Sequence, residues 1–140
     1  MFKTLTLAIA IAATAAAAPA YAHSNGCSNR TVSGSYGTQL TGFAGAVPFA
    51  EVGNFTTDGR GNLKGQDLID LGGTYLPRNL TGTYQVDPDC TATVELNLPD
   101  GSTAHFFGVV VLGGSEVYLN NNDPGNVVAG SIKKINPGKN

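Results

Sequence analysis

Clustered positive charge is missing from this sequence. It has eight lysines and arginines against ten aspartates and glutamates, for a formal net charge of −2. Lys133, Lys134 and Lys139 are confined to the C-terminal tail. Nucleic-acid binding is not expected, because phosphate contacts need a basic stripe or patch. Helical periodicity is missing as well. After residue 26, glycine and proline recur too often for a helix of useful length. The chain also lacks a G-x-S-x-G elbow, a phosphate-binding loop and an EF-hand loop, so no enzyme class or cofactor is indicated.

No apolar run is long enough to cross a membrane as a mature helix. The longest, Leu5 to Ala18, falls short of the ~20 residues a span needs. It follows Lys3 and leads into Pro19-Ala20-Tyr21-Ala22, whose small residues form an A-x-A cleavage site. A basic start, a short apolar segment and a small-residue exit make a secretion signal. Residues 1–22 are therefore expected to be a signal peptide and residues 23–140 one domain, exported to the periplasm or the medium. No membrane span is expected after cleavage. Cys27 and Cys90 both lie in that domain, and an even count in an exported protein reads as a disulfide.

What recurs along the mature chain is a short β-branched or aromatic run followed by a turn signal. The runs are Val32–Phe43, Phe49–Thr57, Leu63–Leu71, Leu80–Val86, Thr91–Leu98, Thr103–Leu112, Glu116–Asn120 and Val127–Lys134. Between them lie Asp58-Gly59-Arg60-Gly61, Gly72-Gly73, Asp87-Pro88-Asp89, Pro99-Asp100-Gly101, Gly113-Gly114 and Asp123-Pro124-Gly125, which have turn chemistry. Short strands with short links favour sequential antiparallel pairing, and closure removes the exposed edges. The expected fold is all-β: a single antiparallel eight-stranded up-and-down barrel, calycin-like in type.

Strand five should bury Ala92, Val94, Leu96 and Leu98 and expose Thr91, Thr93, Glu95 and Asn97. Strand six is apolar on both faces, with His105, Phe107, Val109 and Val111 opposite Ala104, Phe106, Val110 and Leu112. Its second apolar face calls for cover by the C-terminal tail or another subunit, hence an expectation of self-association.

Several segments resemble a family of small exported bacterial proteins, largely uncharacterised in function. They are Cys27 with Gly34-Ser35-Tyr36-Gly37, the Asp58-Gly59-Arg60-Gly61-Asn62 turn, Gly82-Thr83-Tyr84-Gln85-Val86-Asp87-Pro88-Asp89-Cys90-Thr91, His105-Phe106 and Asp123-Pro124-Gly125. The resemblance implies no activity. In strand count and spacing the pattern is similar to calycin-type and allene-oxide-cyclase-type barrels, and fold alone does not assign function.

Three functional readings remain open: a module binding a small apolar or amphipathic ligand, an isomerase or cyclase using the same interior, and a structural or surface-interaction protein. A ligand would sit among Tyr84, His105, Phe107 and Gly82. Tyr84 travels with an apolar strand face, His105 shares a face with Phe107, and glycines at Gly34, Gly65 and Gly82 leave volume. The alternative is a filled core in which Tyr84 and His105 satisfy each other or the backbone, and the glycines serve curvature. Glu51 and Asp67 fall mid-strand on apolar faces, where a carboxyl could be a general acid or base. The competing reading is a misassigned register or a solvated mouth. No resident metal is expected. The one copper alternative joins the amine and ring of His23, at the new N-terminus, to His105.

Overall fold

The computed structural model describes residues 26–136. These residues form eight antiparallel strands in sequence order, closed into an up-and-down barrel by pairing of the first with the last. The strands are β1 (Gly34–Ala44), β2 (Val47–Thr57), β3 (Asn62–Leu71), β4 (Thr74–Val86), β5 (Thr91–Asn97), β6 (Thr103–Val111), β7 (Glu116–Asn121) and β8 (Asn126–Lys134). Apart from single turns of 3-10 helix at Asn29–Val32 and Leu112–Gly114, the described residues contain no helix. The expected signal peptide and His23 lie outside the described residues.

Strand boundaries fall within two residues of expectation except at the start of β4. Val32 belongs to the first 3-10 turn, not to β1. β4 begins at Thr74, six residues before Leu80. Pro77 made this stretch look like a connector, since proline cannot donate to a ladder. The pairing explains why it is tolerated. β4 pairs with β3 from Thr74 onward but with β5 only from Thr81, so Pro77 lies where β5 no longer accompanies the strand.

Alternation along each strand sets the core. Tyr36 and Leu40 from β1, Phe55 from β2, Leu63 from β3, Leu80 and Tyr84 from β4, Ala92 and Leu96 from β5, and Phe106 and Val110 from β6 are buried inside. Strand five has the faces expected of it, with Ala92 and Leu96 buried and Thr93 exposed. On β6, Phe106 and Val110 point in, whereas Phe107 and Val109 are 45% and 40% exposed on the outer wall.

The two ends of the barrel differ. One end is closed by the Asn29–Val32 turn. Cys27 is disulfide-bonded to Cys90 in the β4–β5 connection, and the Cys27 amide donates to the Pro88 carbonyl at 3.2 Å. The Tyr36 hydroxyl donates to the Gly114 carbonyl at 2.6 Å, and the Thr57 hydroxyl donates to the Val32 carbonyl. The other end carries the β1–β2, β3–β4, β5–β6 and β7–β8 turns and is open. The result is a cup.

Candidate functional site

Tyr84 is the expected ligand contact that the structure buries, and it belongs to the closed end. Its hydroxyl accepts from the Gly59 amide at 2.9 Å and donates to the Asn29 carbonyl at 3.3 Å. Burial raises its pKa, as it does for Tyr36. The phenol is thus satisfied by backbone groups, in line with the filled-core alternative. Gly82 also faces inward, but it does not supply spare volume. A Cβ there would lie 2.1 Å from the Glu95 carbonyl oxygen. The glycine exists because β5 passes too close for any side chain, so leucine at this position would break the wall. Gly65 is similar: a Cβ there would meet the Asn54 carbonyl oxygen at 2.1 Å and the Phe55 ring at 2.6 Å.

His105 and Phe107 are on the outer wall, and the expectation that they face the interior is corrected. β6 places Ala104, Phe106, Gly108 and Val110 inside, so the odd-numbered residues must face out. The His105 side chain is 45% exposed. Its Nδ1 lies 2.7 Å from Asp123 Oδ1, and its backbone amide donates to Asp123 Oδ2 at 2.9 Å. Asn121 donates to the same carboxylate at 3.1 Å. This network ties the β7–β8 turn to β6. Among the described residues no group of three or more His, Cys, Asp or Glu side chains is arranged to hold a metal.

The interior is nearly full. Below the mouth a cavity of about 70 Å³ remains, lined by Thr38, Leu40, Glu51, Phe55, Leu96 and Phe106 among others. Small-molecule sites are commonly ~300–1,000 Å³, so this space holds water or a few atoms at most. The Thr38 hydroxyl, buried against it, has no hydrogen-bond partner among the described residues.

At the open end the space widens into a cleft of about 480 Å³. Its walls include Phe49, Leu71, Leu76, Leu98 and Phe106, with Glu51 and Arg78 lower down and Asp100 among the turn residues. The shape follows from strand lengths. β4 runs for 13 residues and β5 for seven, so the upper part of β4 stands without a partner on one side. The β5–β6 turn lies across from it, and the gap between them is the cleft.

The chemistry is concentrated in three inward side chains on adjacent strands. Glu51 on β2 and Asp67 on β3 are 4% and 6% exposed, and Arg78 on β4 stands opposite Asp67. The apolar-face reading of both carboxylates was right in register. They are buried in the barrel wall, not exposed at a solvated rim. Gly53, opposite Asp67, makes room for this: a Cβ there would lie 2.7 Å from the Asp67 Cβ.

Arg78 donates to Asp67 through Nε at 2.9 Å and Nη2 at 2.5 Å, while Nη2 is 3.8 Å from Glu51 Oε2. Burial pushes the Glu51 pKa up to about 7, the Asp67 charge adds to the rise, and Arg78 opposes it. Glu51 therefore changes charge near neutral pH, which suits proton exchange or ion pairing with whatever enters the cleft. Arg78 was not recognisable as part of the site, because its strand seemed to start after it. Its place two residues before Leu80, in phase with Gly82 and Tyr84, was the available signal.

Compared with protein-family models, with curated proteins and with solved structures, the chain matches none. The motif resemblance noted above thus gains no support from these comparisons, while the barrel it implied is present.

Proposed function

We propose that this protein is an exported binding module whose barrel mouth holds a small amphipathic molecule. The observation that carries this reading is the apolar cleft of about 480 Å³ with Glu51 and Arg78 at its base. A concave apolar site with a few convergent polar groups is the usual form of a small-ligand pocket. Export is supported by the expected signal sequence and by the Cys27–Cys90 disulfide, a bond that persists in oxidising compartments. The ligand's apolar body would rest against Phe49, Leu76 and Leu98. Self-association is part of the same proposal, through the exposed Phe107, Val109 and Tyr118 on the outer wall.

A second reading is an isomerase or cyclase in the same cleft. It is favoured by one group, Glu51, whose carboxyl titrates near pH 7 and could take and return a proton.

Titration with a neutral environment-sensitive dye, Nile red, tests the binding reading. Saturable binding should be weakened by Leu76→Glu at the mouth and left intact by Phe107→Glu on the outer wall. Both positions are exposed, at 43% and 45%, so neither change should unfold the domain. Loss of binding with Phe107→Glu alone would move the site to the outer surface. No saturable binding at all would favour a structural protein.

A further inference from the structure

We infer that the mouth selects an amphipathic amine, a molecule with an apolar body and a protonated ammonium group that seats against the Glu51 carboxylate. This deepens the proposed function and rests on the mouth being a binding site.

The charges at the mouth point one way. Among the residues lining the cleft, the charged ones are Glu51, Arg78 and Asp100. The one cation is already engaged, since Arg78 is held by two hydrogen bonds to Asp67. Glu51 and Asp100 are left without a matched cation. Asp100 accepts from the Ser102 amide at 2.9 Å and from its hydroxyl at 2.6 Å, and these bonds hold its pKa below the usual carboxylate range. The remaining elements bring no further charge to the cleft: β1 and its turn contribute Ala44, β6 contributes Ala104 and Phe106, and β7 and β8 contribute Asn121, Asn126 and Val128.

Glu51 supplies the second, independent observation. Its side chain is 3% exposed, yet none of the side-chain hydrogen bonds among the described residues reaches it, and its charged contact, Arg78, is 3.8 Å away. A buried carboxylate is costly unless it is paired and hydrogen-bonded. Glu51 also lies at the boundary between the cleft and the inner cavity, where the Thr38 hydroxyl has no hydrogen-bond partner among the described residues. An ammonium supplies three donors and the missing charge. A ligand hydroxyl supplies one donor and no charge. A ligand carboxylate would meet Glu51 and Asp100 and compete with Asp67 for Arg78.

The test uses three probes that share one chain and differ in head group: decylamine, decanol and decanoate, each displacing Nile red at pH 7.5 below its aggregation concentration. Decylamine should bind at least about tenfold more tightly than decanol, the scale of a hydrogen-bonded charge contact, with decanoate weakest. Glu51→Gln should remove the amine's advantage and bring decylamine and decanol within about twofold of each other. Equal affinities, a preference for decanoate, or an amine preference that survives Glu51→Gln would overturn the inference. If Glu51→Gln does not fold, the ranking on the unaltered protein decides alone. Failure of the underlying reading looks different: none of the three probes displaces the dye, or the dye does not bind.

Discussion

Arg78 and Asp67 face each other across β4 and β3 and meet through two parallel hydrogen bonds, with the carboxylate side chain fully buried and the guanidinium 15% exposed. A forked pair of this kind has two consequences. It fixes the upper part of β4, which lacks β5 as a neighbour, and it uses up the positive charge of the mouth. Removing one partner leaves the other buried and unpaired, a loss of about 3–5 kcal/mol. Asp67→Asn and Arg78→Met should each lower the stability measured in urea by an amount in that range. Asp67→Leu combined with Arg78→Met should cost less than the sum of the single changes. Single variants within about 1 kcal/mol of the parent would show that the pair is solvated.

Strand alternation and turn chemistry carried most of this fold. The eight strands, their order and the faces of β5 follow from residues such as Ala92, Val94 and Leu96 and from turns such as Asp58-Gly59-Arg60-Gly61. The site was less legible, for two physical reasons. A strand apolar on both faces has no phase of its own. Whether Phe106 or Phe107 points in is fixed by the ladder, with Phe106 opposite Val94 and Phe107 opposite Thr93. The other reason is Pro77, which signals a break unless one knows that the neighbouring strand has already ended. That concealed Arg78, and without its partner the pair Glu51 and Asp67 resembled an error of register.

Glu51 should make stability depend on pH in an unusual direction. Its pKa is raised from an ordinary 4.5 to about 7 in the folded protein. Between those values the folded state binds more protons than the unfolded one, so stability falls as pH rises through the window and levels off above it. The full loss is about 3 kcal/mol. Asp58 acts oppositely. Hydrogen bonds from Asn62 and Arg60 lower its pKa to about 2, so its contribution is lost only in acid, as pH falls through the folded value. Thermal melts at pH 5 and pH 8 should show the parent less stable at pH 8. Glu51→Gln should remove most of that difference by gaining stability at pH 8. A variant with the parent's full pH dependence would assign it to another group.

The disulfide closes a loop of 63 residues between the closing turn and the β4–β5 connection. In the chain-entropy model a cross-link of this span contributes about 4 kcal/mol. Cys27→Ser with Cys90→Ser should lower stability by about 2–5 kcal/mol. The mouth lies at the opposite end of the barrel, so Nile red affinity should be unchanged in the folded variant. Equal melting temperatures with and without reductant would show that the bond does not form in solution.

Substitution at Thr38 distinguishes a dry inner cavity from a wet one. The Thr38 hydroxyl is buried, it lacks a hydrogen-bond partner among the described residues, and the space beside it is about 70 Å³, large enough for water. A water there would need two or more polar contacts. Apart from Thr38, the lining residues that carry polar side-chain groups are Glu51, Thr57, Tyr36 and Tyr84, and the last three are engaged: Thr57 donates to the Val32 carbonyl, Tyr36 to the Gly114 carbonyl, and Tyr84 pairs with the Gly59 amide and the Asn29 carbonyl. The remaining walls, including Leu40, Phe55, Leu63, Leu96 and Val110, are apolar. A single water held by Thr38 and Glu51 would be poorly satisfied, which favours a dry cavity. Thr38→Val keeps the shape and removes the unsatisfied hydroxyl, so it should raise stability by about 1 kcal/mol. A loss of that size instead would mean that Thr38 holds an ordered water against Glu51. The two outcomes also differ at the mouth. With a dry cavity, Thr38→Val leaves the pH dependence of Glu51 intact, whereas removing a bridging water would raise the Glu51 pKa further and move the stability loss to higher pH.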